Sequence, residues 1–378
     1  PASSAADQVV LTWCDDPRTT QAFQWRSDTS VTRMTLKYRK ADGNDGDFSE
    51  IAASYRLLAD NYIYNCPVVK HWEVNVERLQ PDTKYQYRIC NGDTGGETPL
   101  YTFRTAPQGE SPFRFIYLGD THNSDIVEKV VDQAFRTAPD AAFLLHSGDH
   151  VNTGLFRELW DEHFHYMRKV LPYLSFVPAL GNHDSQDGLP PALYQHFFML
   201  PRDNGTVLEP ERNYAFTYGN SRFLILDSTG DVGRIASWLE EELKKAEERW
   251  KIVVTHFPIY WKDDSYPDMR EKWASLFDRY GVDLVLSGHV HQYFRSYPVV
   301  GNIPRKPEEK GTVYVASVAV ASRDLEPSSE KYNALHVNTG ALYQTVEVES
   351  RQIHVVSRNL DGDKIDEFII RKGVGAKP

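Results

Sequence analysis

"FRFIYLGDTH" (113–122) begins as an apolar run of strand length and stops on Gly-Asp-Thr-His. The same grammar returns in "DAAFLLHSGDH" (140–150), "SFVPALGNHD" (175–184), "WKIVVTHFP" (250–258) and "VDLVLSGHVH" (282–291). Each short run reads as a strand buried on both faces, and each ends in Asp, Asn or His. Helical periods lie between the runs. "SDIVEKVVDQAF" (124–135) places Ile126, Val127, Val130, Val131 and Ala134 on one face, with Ser124 as the expected N-cap. "RIASWLEEELKKAEERW" (234–250) repeats that period, and "MREKWASLFDRYG" (269–281) ends at Gly281, the usual left-handed helix stop. Strand–helix alternation predicts an α/β layered core with ligand groups at the carboxyl ends of the strands.

Collected, those ends are Asp120, His122, Asp149, Asn182, His183, His256, His289 and His291. A single histidine there reads as an ordinary core residue. Eight polar groups without partners would cost several kcal/mol each. Two metal ions remove that cost, because carboxylate, amide oxygen and neutral imidazole are their natural ligands. Asp149 suits the bridging position, and Gly119, Gly148, Gly181 and Gly288 are expected to let the backbone turn tightly before each ligand. Asp184, next to a ligand, is placed to orient ligands rather than to bind metal, and His150 reads either as a second such residue or as a packed or solvent-facing histidine. His163 and His165, two apart on a helical stretch, read as surface residues.

The chain upstream has another texture. "VVLTWC", "AFQWRS", "VTRMTLKYR", "VVKHWEVNV", "KYQYRIC" and "LYTFRT" are short β-branched and aromatic runs between turn signals, which predicts an all-β sandwich over residues 1–106. "TAPQGESP" (105–112) marks a boundary, and residues 107–378 form the second domain. The strand-like tail from 312 is expected to join that domain's sheets. With 378 residues, 41% apolar and 25% charged, the composition is globular, and no run is long enough to span a bilayer. A net charge of −11 argues against nucleic acid as a partner. The small-residue start "PASSAAD" is of the kind left after export, so a secreted or periplasmic location is expected. Cys14, Cys66 and Cys90 are too few for a disulfide scaffold.

"GDTH", "GDHVN", "GNHD", "VTHFP" and "GHVH", in that order, resemble the signature of the calcineurin-like metallophosphoesterase superfamily. "LQPDTKYQYRI" (79–89) resembles the corner of a fibronectin type III domain, where a tyrosine bonds back to the preceding turn. The two together are most similar to the purple acid phosphatase family, and the resemblance covers nearly the whole chain. It implies a fibronectin type III-like sandwich before a four-layer α/β metallophosphoesterase domain, a β-sandwich core flanked by helices. It further implies that Asp120, His122 and His291 hold one divalent ion (Mn, Fe or Zn), that Asn182, His256 and His289 hold the other, and that Asp149 bridges them. A metal-bridging hydroxide would then attack a small phosphomonoester while His183 assists the phosphoryl or leaving group. Phosphodiester hydrolysis and a non-catalytic metal-binding scaffold remain as alternatives.

The departures from that family are informative. Purple members carry a tyrosine where this chain has Asn152 and a glycine where it has His122. A phenolate is lost and an imidazole gained, which favours divalent ions over ferric iron and implies a colourless enzyme with Asn152 at most a weak ligand. Trp261, Asp263, Asp264 and Tyr266 fall where the family borders its substrate, without the extra histidines of plant-type members. The sandwich topology implies that any disulfide joins Cys66 to Cys90.

Overall fold

The computed structural model describes residues 1–60, 62, 66–186, 189–202, 210–262, 265–323 and 330–372. Asp263 and Asp264 lie outside them. An N-terminal β-sandwich is followed by an α/β domain. In the sandwich, Met34–Lys40 and Lys84–Asn91 sit at the centre of a four-stranded sheet facing Gln21–Asp28 and Val69–Val76. Alternation sends Phe23, Trp25, Trp72, Leu36, Tyr87 and Ile89 into one core. Tyr85 Oη accepts the Gln80 amide at 2.9 Å, the corner expected from "LQPDTKY".

In the second domain, Phe113–Leu118, Phe143–His146 and Ser175–Pro178 pair in parallel. Tyr343–Val348, Gln352–Arg358 and Lys364–Arg371 extend that sheet antiparallel, as the strand texture of the tail predicted. A second sheet holds Ser221–Leu226, Trp250–Thr255, Leu284–Ser287 and Val313–Ala316 in parallel. Phe223, Ile225, Ile252 and Val254 meet the first sheet, whereas Leu224, Leu226 and Val253 meet Ile235 and Leu239 of the helix Val232–Lys245. The helix Ile126–Thr137 buries Val127, Val130, Val131 and Ala134 in the same cluster as the first sheet, against which it packs. Period-2 strands sandwiched between period-3.6 helices give four layers. Asp7–Thr12 of the front sandwich pairs with Ser175–Pro178, so one ten-stranded sheet runs through both regions.

Several expectations need correction. Asp125, without a side-chain bond, occupies the N-cap position of the first helix, and Ser124 contributes only its carbonyl to Val127 N. His163 is buried, because the helix Arg157–Met167 turns Trp160, His163 and Phe164 together onto the core; His165 on the other side is exposed. Trp261 packs inside against Phe294 and His336. No disulfide forms. Lys84–Asn91, which carries Cys90, and Val69–Val76, which follows Cys66, lie in opposite sheets of the sandwich. Cys66 Sγ lies 2.8 Å from Arg157 Nη2, and Cys90 points at Glu97. No helix among the described residues is long and apolar enough to cross a membrane.

Candidate metal centre

The five strand ends converge. Phe113–Leu118, Phe143–His146 and Ser175–Pro178 of the first sheet deliver Asp120 and His122, Asp149, and Asn182 and His183. Trp250–Thr255 and Leu284–Ser287 of the second deliver His256, and then His289 and His291. Two donor groups result, Asp120–His122–His291 and Asp149–His256–His289, and within each the ligand atoms lie inside 4.8 Å of one another. Asn182 Oδ1 stands 3.0 Å from His256 Nε2 and 3.1 Å from His289 Nδ1, which puts it with the second group. Asp149 Oδ2 lies 3.2 Å from His256 Nε2 and 3.9 Å from His122 Nε2, between the two groups.

These positions are held under strain. His122 (φ +46), Asp149 (φ +56), His289 (φ +72) and His291 (φ +51) all occupy the left-handed region, at about 1–2 kcal/mol each for a residue with a Cβ. The glycines act differently from expectation: of the four, only Gly148 (φ +104) needs its conformational freedom. At Gly288 the reason is contact, since a Cβ would strike Asp120 Oδ1. Beneath the ligands Asp184 is a buried hub. Its carboxylate accepts the amides of Gly181, Asp149 and His150 at 2.9 Å each and His150 Nδ1 at 2.8 Å, so Asp184 and His150 lock the loops together. Burial would raise Asp184, but His150 and the surrounding amides hold it below the usual carboxylate range.

Hydrogen bonds set the ring orientations. His256 Nδ1 donates to the Ser147 carbonyl at 3.0 Å, which leaves Nε2 facing the centre. His183 Nδ1 donates to the Asn152 carbonyl at 2.8 Å, which leaves its Nε2 directed away from that anchor. Asn152 therefore acts through its backbone, and its residue is exposed. Asp184 was expected from sequence to orient the ligands; the Ser147 carbonyl carries no motif of its own and was missed as an anchor. Tyr266 stacks on Phe257 at 4.9 Å, and both rings reach His289.

The electrostatics fit cations. Burial lowers His122, and it lowers His289 to about 4 with help from His256, so both imidazoles are available neutral. Burial opposes charge on His256 too, but Asp149 raises it to about 9, so a cation there must displace a proton. Asp120 is held far below the carboxylate range: burial would raise it, and His291, His256 and His122 outweigh that. In the first group His122 Nε2 and His291 Nε2 face each other at 3.0 Å, and buried Asp120 Oδ2 lies 3.1 Å from His291 Nε2 without an aligned hydrogen bond. Two imidazole nitrogens converging on a carboxylate oxygen are the donor set of a divalent ion.

Comparison with known proteins agrees. Residues 6–105 match the purple acid phosphatase N-terminal domain, and residues 113–293 match the calcineurin-like phosphoesterase family. The chain is a purple acid phosphatase N-terminal domain joined to a calcineurin-like phosphoesterase domain. An uncharacterized protein of Mycobacterium tuberculosis is 31% identical over 273 residues, 60% of this chain and 51% of its own length. The chain thus spans about half of that relative. Phosphoenolpyruvate phosphatase of Allium cepa is 26% identical over 84% of this chain and 71% of its own. The solved purple acid phosphatase of yellow lupin seeds shares the fold with a TM-score of 0.82 and 18% identity, over 98% of this chain and 75% of that one. The phosphoesterase match contains every candidate ligand, from Asp120 to His291.

Proposed function

We propose that this chain is a dinuclear-metal phosphoesterase that hydrolyses small phosphomonoesters. The observation that carries the reading is the pair of donor groups meeting at Asp149. Asp120, His122 and His291 would hold one divalent ion, Asn182, His256 and His289 the other, and Asp149 would serve both. Two such ions supply an acidified water and neutralise phosphoryl charge. The protein's own part is orientation and proton handling. The Asp184 hub fixes Asp149 and His150, and the Ser147 carbonyl fixes the tautomer of His256. His183, anchored through Nδ1, keeps Nε2 to donate to a phosphoryl oxygen or to the leaving alkoxide, a contribution of about 10²–10⁴-fold. The half-buried Phe257–Tyr266 pair would border the leaving group.

Hydrolysis of p-nitrophenyl phosphate by protein loaded with Mn, Fe or Zn is the test. Asp149→Ala should abolish it and lower bound metal, while His183→Asn should keep the metal and lose rate. Activity retained in Asp149→Ala would overturn the reading. Bis-p-nitrophenyl phosphate, assayed alongside, should be the slower substrate; the reverse order would shift the assignment to diesters.

A further inference from the structure

The strand that delivers His256 begins at another site. Lys251, the second residue of Trp250–Thr255, lies five residues from His256, roughly 16 Å along an extended strand. It lines a cavity of about 510 Å³ at the amino ends of the second sheet, away from the candidate metal centre. Phe277, Val282, Phe368 and Ile370 give that cavity an apolar wall, and its size is that of small-molecule sites. Its charged lining has six cations against four carboxylates, in a chain whose net charge is −11.

Three of those carboxylates are engaged, one of them by a lining cation. Asp283 accepts Lys372 Nζ at 2.7 Å and the Lys251 amide at 2.9 Å. Asp278 accepts the Gly301 amide, and Glu309 accepts the Lys306 amide. Arg295 pairs with Asp366. Lys251 is 3% exposed, and its ammonium makes no hydrogen bond or ion pair among the described residues. Packing alone would be met by methionine; here the stem is buried while the ammonium, which is not among the buried unpartnered atoms, keeps its access to the cavity and stays available to an anion. Burial, and then the neighbouring Lys372, push Lys251 below the ordinary lysine value, and the opposing pull of Asp283 and Glu248 does not outweigh them.

We propose that this cavity binds an organic monoanion, with its carboxylate, sulfonate or phosphoryl head against Lys251 and its ring or chain against the half-buried Phe368 and Ile370. The site is separate from the metal centre and does not depend on the proposed activity. The probe is 8-anilinonaphthalene-1-sulfonate, an aromatic monosulfonate, titrated by fluorescence against the metal-loaded full chain, with benzoate as competitor. The wild type should show saturable binding at one site per chain, displaced by benzoate. Lys251→Met and Lys251→Gln should weaken binding at least tenfold, and Lys251→Arg should retain it within about threefold, because the charge is kept. Unchanged hydrolysis of p-nitrophenyl phosphate in all three variants would show that they are folded; if they are inactive, the benzoate displacement and the Lys251→Arg comparison still decide. Equal dye binding by wild type and Lys251→Met, or no displacement by benzoate, would overturn the proposal.

Discussion

The two donor groups of the metal centre are built differently. In the second, Asn182 Oδ1 lies within hydrogen-bond reach of His256 and His289, and Asp149 accepts the His183 amide through Oδ1. In the first, Asp120 likewise accepts the His289 amide through Oδ1, but His122 and His291 present facing nitrogens beside Oδ2, which lies 3.1 Å from His291 Nε2 without an aligned hydrogen bond, and His122 Nδ1 is unpartnered. The protein supplies an amide oxygen to the imidazoles of the second group and none to those of the first, which face each other. Unsatisfied buried groups cost about 1–3 kcal/mol each, so the first group should depend more on metal for its stability as well as for its chemistry.

The largest effect that can break this contrast is loss of metal from the first group. His122→Ala should remove about one ion per chain and cut phosphatase activity by at least a hundredfold, checked by elemental analysis and assay. Iron-loaded wild type should show no strong visible band, because Asn152 stands where purple members place a tyrosine. A strong band would mean that another phenolate reaches the metal and that the donor list is wrong.

A buried histidine cluster sharpens the contrast next. Both ring nitrogens of His163 lack partners, as those of a ligand would without its ion, yet His163 is among no metal-binding group found in the described residues. Burial, then the neighbouring His150, push His163 down to about 3. The unfolded chain protonates this residue below about pH 6.5 and the folded chain does not until about pH 3, so stability falls with pH across that window, by about 1.4 kcal/mol per unit at most. His163→Phe should reduce the loss of urea stability between pH 7 and pH 5 by up to about 2 kcal/mol. An unchanged loss would mean that His163 is protonated in the folded state.

Satisfied groups supply the small end of the scale. Tyr85→Phe removes the bond to Gln80 in the front sandwich and should cost about 1 kcal/mol in denaturant unfolding, without changing bound metal. Asn152→Ala should be nearly silent, within about twofold in activity, because the carbonyl that holds His183 remains. A large loss there would assign the Asn152 side chain a role as a ligand.

Much of this was legible in the chain. Apolar strands that end in Asp, Asn or His conflict with burial unless something binds those ends, so "GDTH", "GDH", "GNHD", "THFP" and "GHVH" point to one site by residue type and order alone. The alternation of tyrosines after "QPDTK" likewise located a corner. Long-range partners were not legible. Asp184 was read as an orienter, but the amides it gathers lie up to 35 positions away, and nothing local in "GNHD" names them. The surface reading of His163 failed because helix period tells which residues share a face, not which face the core covers. Cys66 and Cys90 remained thiols because their neighbouring strands joined different sheets.

The sequence by itself determined the strand–helix order, the candidate ligands and the absence of a tyrosine at position 152, since each follows from residue type and local period. Only the tertiary structure decided the pairing of Leu11 with Ser175 across the two regions, the left-handed backbone at His122, Asp149, His289 and His291, and the isolation of Lys251 in its cavity. Sheet pairing, backbone strain and the want of a partner depend on which distant atoms arrive alongside. Local propensity carries no record of them, and close packing of the folded chain sets them all.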